Sequence, residues 1–137
     1  CCTSGIAEML LQSNDGALFI LPALPHDWPN GNMKGLKAKG GFTVDVTWKN
    51  GKVKELVIKS LLGSNCRIRT YTPVKTVARL SRIENESAIQ PNSLLGVPEV
   101  KKPLVARAAH IGPLSLPSTY LYDLHTEKGK AYRFEFD

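Results

Sequence analysis

The chain of 137 residues has the length of one domain, and its 42% hydrophobic and 22% charged residues are the balance of an ordinary globular fold. No apolar run approaches the ~20 residues that a membrane-spanning helix needs, so a membrane role has no support. The formal charge of +6 raises nucleic-acid binding, but Lys34, Lys37, Lys39, Lys49, Lys52, Lys54 and Lys59 are scattered among apolar and acidic neighbours with no stacking motif beside them, which fits the solvated faces of strands and turns.

Cys1-Cys2-Thr3-Ser4-Gly5 contains no basic region followed by an apolar core, so no signal peptide is read there, and a chain opening on Cys1 is expected to be cut from something longer. Ile6, Met9, Leu10 and Leu11 follow at helical spacing and predict one short helix over residues 4–13, with Thr3 or Ser4 available as its cap. Asn14-Asp15-Gly16 is a turn signal, and the apolar run 17–21 is short enough for a buried strand. Pro22, Pro25 and Pro29 then remove backbone donors and fix several φ angles, which predicts a stiff irregular loop over 22–31.

Phe42, Val44, Val46 and Trp48 alternate with Thr43, Asp45 and Thr47, the period of a strand with one buried face. Asn50-Gly51 favours a two-residue type I′ turn, so residues 53–60 are expected to return as the partner strand. Further strands are expected at 66–71 and 74–80, and the polar stretch 81–92 reads as a mobile loop or poorly paired edge. Residues 120–124 and 132–136 flank Glu127-Lys128-Gly129-Lys130, which predicts a closing hairpin. Short strands at this spacing make the fold mainly β, an antiparallel, jelly-roll-like β-sandwich preceded by one short α-helix. One helix cannot cover such a sheet, so it is expected to bridge to another part of a longer protein.

Gly5-Ile6-Ala7-Glu8-Met9-Leu10-Leu11-Gln12-Ser13, Leu21-Pro22-Ala23-Leu24-Pro25, Trp28-Pro29 and Gly31 resemble, in order and spacing, the carboxy-terminal part of glycoside hydrolase family 95, the α-L-fucosidases. Lys34-Gly35-Leu36-Lys37-Ala38-Lys39-Gly40-Gly41-Phe42 and Trp48-Lys49-Asn50-Gly51-Lys52 extend the resemblance, which is dense over 5–70 and thin over 81–115. It implies an enzyme with an amino-terminal β domain, a toroid of helical hairpins carrying the active site, and a carboxy-terminal sandwich. On that basis residues 1–13 would be the last helix segment of the toroid and 14–137 the sandwich. The resemblance further implies an inverting hydrolase, in which an acid protonates the leaving oxygen while an activated water attacks the opposite face. Those groups come from the toroid in that family, so no catalytic residue carries over, and this chain alone is not expected to be an enzyme. Implied with it are a fucosylated glycan as substrate, the helical catalytic domain as partner, and a secreted or periplasmic location. An uncovered Ile6, Met9 and Leu10 face would also give the isolated chain a route to self-association.

Among local candidates, Asp45 and Glu55 flank the hairpin but read as surface carboxylates rather than a glycosidase pair. His26, His110 and His125 lie too far apart in sequence to suggest a metal site. Cys1, Cys2 and Cys66 are an odd number without zinc-ligand spacing, so neither metal nor cofactor is expected, and a buried free thiol is the common fate of a lone residue like Cys66. His26 and Trp28, on the proline-stiffened loop, are the candidate substrate contacts: an indole can stack on a sugar and an imidazole can donate to it, although packing of Trp28 at an interface is the plainer role. A carbohydrate-binding module is the alternative function, set back by an aromatic content of 7% and the lack of a row of exposed rings outside Tyr120 and Tyr122, which read as core.

Overall fold

The structure, a computed structural model, describes residues 2–75, 78–86, 88–99 and 101–137. Helix α1 (Cys2–Leu10) is followed by strands β1 (Leu11–Gln12), β2 (Leu18–Ile20), β3 (Gly31–Ala38), β4 (Phe42–Lys49), β5 (Lys52–Ser60), β6 (Ser64–Thr70), β7 (Leu80–Ile83), β8 (Tyr120–Thr126) and β9 (Ala131–Glu135). Among the described residues these form two sheets, one ordered β1-β2-β6-β8-β7 and the other β3-β4-β5-β9. The fold is therefore the expected mainly β sandwich with one short leading helix. Its pairings are antiparallel except for β2 beside β6, which is parallel.

The alternation read at 42–48 is the alternation observed. Phe42, Val44, Val46 and Trp48 face inward with Leu56 and Ile58 of β5 and Tyr132 and Phe134 of β9, while Leu18 and Ile20 of β2, Cys66 and Ile68 of β6, and Tyr122 and Leu124 of β8 face them from the other sheet. All belong to one cluster. Asn50 and Gly51 have φ of 52° and 73°, the positive pair that a type I′ turn demands, so β4 and β5 form the expected hairpin.

Four expectations are corrected. The helix begins at Cys2, which puts Thr3 and Ser4 inside its first turn instead of at the cap, and it ends at Leu10 because Leu11 and Gln12 pair with Ile20 and Phe19. Residues 31–38 are a strand, β3, which a pattern with glycine at positions 31 and 35 conceals; the ladder bulges between Met33 and Leu36, with Gly35 at φ 75° and its N–H held by Asp45 Oδ1 at 2.7 Å. Of the strand expected over 74–80, Val74 forms a bridge to Phe136, Thr76 and Val77 lie outside the described residues, Arg79 sits at φ 70°, and Leu80 opens β7. Regular pairing resumes in β7, an edge strand drawn from the stretch read as loop or edge.

The fourth correction concerns the closing hairpin. β8 pairs with β6 and β7 in one sheet, whereas β9 pairs with β5 in the other, so residues 127–130 form a corner between sheets. Ser60, fully buried, fixes that corner. Its N–H donates to the Lys130 carbonyl at 2.9 Å, its carbonyl accepts from Gly129 at 2.8 Å, and its Oγ accepts from the Gly63 N–H at 2.9 Å. Thr126 Oγ1 lies 2.9 Å from Ser60 Oγ and donates to the Ser64 carbonyl at 2.6 Å. Two of the passages between sheets, from β5 to β6 and from β8 to β9, are thus tied together by two buried hydroxyls whose hydrogen bonds are made.

Helix α1 is held mainly from one end. The carbonyls of Met9 and Leu10 accept from the N–H groups of Ala23 and Leu21, at 3.2 and 2.9 Å, which satisfies two of the groups a helix leaves open at its carboxy terminus. Leu10 is the buried residue of α1, and Ile6 is 38% exposed.

Candidate functional site

The proline loop that carries His26 and Trp28 is rigid because it is clamped to the tip of the β4–β5 hairpin. Trp28 N–H closes a turn onto the Pro25 carbonyl at 3.0 Å, Asn50 N–H donates to Asn30 Oδ1 at 3.0 Å, and Gly51 N–H donates to the Pro29 carbonyl at 2.8 Å. From the core, Trp48 Nε1 donates to the Trp28 carbonyl at 2.9 Å. The ring of Trp48 approaches Gly31 so closely that a Cβ there would stand 2.4 Å from Cζ2, so β3 enters the sheet through a position only glycine fits.

Leu24, Pro25, His26, Pro29, Asn50 and Gly51 enclose an open concavity of about 370 Å³. His26 is among the residues that line it, while Trp28, 37% exposed, is not. The two candidates therefore share a loop without sharing a cavity. The other carboxylates and imidazoles go elsewhere: Asp45 holds the β3 bulge, Glu55 pairs with Arg133 at 3.4 Å, and His110 and His125 are exposed on separate segments. Among the described residues no group of three or more His, Cys, Asp or Glu side chains is placed to hold a metal ion.

On the outer face of the five-stranded sheet, Arg67 of β6 and Asp123 of β8 stand opposite one another in register. Arg67 Nε and Nη2 donate to the two Asp123 oxygens at 2.8 and 2.9 Å, a bidentate pair in side chains only 6% and 18% exposed. Its remaining donors reach the carbonyls of Ala88 and Ile89 at 2.7 and 3.2 Å, so the guanidinium staples this segment over the sheet. Asn65 Nδ2 adds a bond to Asp123 at 3.0 Å. Burial alone would raise the Asp123 carboxyl, but the hydrogen bonds from Arg67 and Asn65 and the Arg67 charge outweigh it and hold the group below the usual carboxylate range. The Asp123 hydrogen bond likewise raises Arg67, against the opposing effect of burial.

Beyond the end of that segment the same face is open. Phe19 of β2 and Arg69 of β6 are register partners, and with Tyr71 they border an open concavity of about 450 Å³. The Phe19 and Tyr71 rings lie 5.2 Å apart at 54°, and the Arg69 guanidinium is 6.0 Å from the Phe19 centroid. Arg69 Nη1 donates to Glu86 Oε1 at 3.0 Å and Thr119 Oγ1 at 2.8 Å; Asp15 Oδ2 is 3.8 Å from Nε, which is buried without a hydrogen-bond partner. Sequence reasoning passed over this group because its members come from four separate segments, and no local pattern joins them.

Cys66 lies beneath these clusters, fully buried, and burial pushes its thiol far above the usual range, with the Asp123 charge adding to the effect; Cys2 is exposed. Since the thiolate is the reactive species, Cys66 is expected to resist iodoacetamide in the native chain and to react once urea unfolds it, read peptide by peptide by mass spectrometry. Modification of native Cys66 at the rate of Cys2 would contradict its placement in the core.

Comparison with known proteins adds two findings. Residues 12–95 match the family model described as the C-terminal domain of glycoside hydrolase family 95. Alpha-L-fucosidase 2 of Arabidopsis thaliana is 42% identical over 78 residues, which cover 56% of this chain and 9% of that protein.

Proposed function

The chain belongs to glycoside hydrolase family 95, as its C-terminal domain, and from that premise we propose that it is the non-catalytic β-sandwich of an α-L-fucosidase-like enzyme, packing against the helical catalytic domain and stabilising it. In this reading residues 1–13 end the helical toroid and 14–137 are the supporting sandwich, with Leu11 and Gln12 already paired into it. The catalytic acid and the groups that direct an inverting water would lie in the helical domain, acting on a fucosylated glycan in a secreted or periplasmic enzyme.

The observation that carries the proposal is α1. It has nine residues, fewer than the ~12 to 15 at which an isolated helix becomes even marginal in water, and Leu10 is the one it buries in the sandwich. A helix so short needs packing along its length, and Ile6 and Met9 offer an apolar side for a neighbouring helix to cover. The clamped proline loop beside it supplies a second rigid contact, in which we assign Trp28 to packing between domains.

The test uses the full-length parent enzyme. Removing residues 14–137 should cost soluble, folded enzyme, and the 137-residue chain should show no hydrolysis of a fucosylated oligosaccharide; turnover by the chain alone would overturn the proposal. In the parent, Trp28→Ala should lower thermal stability or solubility and leave kcat and KM unchanged. A raised KM with the fold intact would instead give His26 and Trp28 to the substrate.

A further inference from the structure

We propose that the concavity bordered by Phe19, Tyr71 and Arg69 is a binding site for a neutral pyranose sugar, a role that stands whether or not the domain also supports a catalytic partner. The sequence offers no row of exposed rings, yet the fold assembles a pair from distant segments. β2 carries Phe19, and the chain leaving β6 carries Tyr71, 40% exposed and with its hydroxyl 3.4 Å from the Pro22 carbonyl. Tilted rings present an apolar surface against which the C–H face of a sugar can lie, and a cavity of about 450 Å³ falls within the roughly 300 to 1,000 Å³ usual for small-ligand sites.

The polar rim matches hydroxyl chemistry. Asp15, Glu86 and Thr119 offer acceptor oxygens, and Arg69 supplies a guanidinium held by Glu86 and Thr119, with its Nε buried and without a hydrogen-bond partner. A hydroxyl donates and accepts at once, so vicinal hydroxyls suit a rim that mixes carboxylates with a guanidinium. An anionic ligand does not suit it. Two carboxylates face one guanidinium that is already engaged by Glu86, and no second cation lines the cavity among the described residues. The site is also partly built in advance, because Arg69 Nη1 is held by both Glu86 and Thr119 and needs little reordering to receive a ligand.

The experiment is a titration of the ¹⁵N-labelled chain with methyl α-L-fucopyranoside, methyl β-D-galactopyranoside and, as the acidic control, the methyl glycoside of N-acetylneuraminic acid, followed by backbone and arginine Nε shifts. At least one neutral glycoside should give saturable shifts at Phe19, Arg69 and Tyr71 with a Kd of roughly 1 mM, as expected for a ligand of this size in an open site. Tyr71→Ala should weaken binding roughly tenfold and Tyr71→Phe should retain it, since the ring supplies the contact. Should Tyr71→Ala fail to fold, Asp15→Asn, at an exposed position, is expected to weaken binding while preserving the native spectrum. Absence of saturable shifts for both neutral glycosides, shifts confined to the His26 and Trp28 loop, or equal binding of the acidic sugar would each overturn the proposal.

Discussion

Replacing Asp123 by alanine is expected to lower the free energy of unfolding by about 3 to 5 kcal/mol, read from a urea titration, because it leaves the Arg67 guanidinium buried without its counter-charge. That is a large share of the ~5 to 15 kcal/mol by which a domain is stable. The loss would spread beyond the pair, since Arg67 also holds the Ala88 and Ile89 carbonyls and so keeps that segment on the sheet. Exchanging both partners for apolar residues of similar volume should cost much less than the single change, because it removes the orphaned charge together with its partner. A single-variant loss under ~1 kcal/mol would mean that water reaches Arg67 freely. The same pair sets an acid limit. The Asp123 carboxyl is held below its unfolded value of about 3.9, so its contribution is complete above that value and fades as pH falls through the lower folded one. Wild-type stability should therefore drop more steeply in acid than that of the double apolar variant, and parallel curves would argue against the assignment.

Trp48→Ala is expected to cost a further large amount, about 3 to 5 kcal/mol, the loss typical of truncating a buried aromatic. Trp48 is 6% exposed, packs in the shared core, covers Gly31, and sends its Nε1–H to the Trp28 carbonyl. Its removal opens a cavity and at the same time frees the proline loop from the hairpin. Faster hydrogen exchange of the Gly51 amide, which donates to Pro29, should accompany the loss measured in denaturant. A cost below ~1 kcal/mol would place the indole outside the core.

What the sequence makes legible follows from how local the deciding interaction is. The β4–β5 hairpin is legible because a period of two and the Asn50-Gly51 turn are both written within a few residues of the contacts they specify. β3 is not, because its glycines and lysines carry little strand preference and its register is imposed by pairing with β4 and by Asp45 at the bulge. The turn at 127–130 has the same chemistry whether the chain doubles back on itself or crosses to another sheet; Ser60, far away in sequence, decides between them. The site shows the same division. His26 and Trp28 stand out because prolines surround them, whereas Phe19, Arg69 and Tyr71 come together only through the parallel pairing of β2 with β6, which no local pattern announces.

The corner at Ser60 also joins strands that lie far apart in the sequence. The β4–β5 hairpin can form early from neighbouring residues, but the sheet it belongs to gains β9 only when residues 131–135 become available, and the partner sheet awaits β8. Until then β5 presents a bare row of amide and carbonyl groups, the kind of edge on which nascent chains aggregate. Closure therefore depends on a long-range search, and such topologies fold slowly compared with helical proteins of equal size.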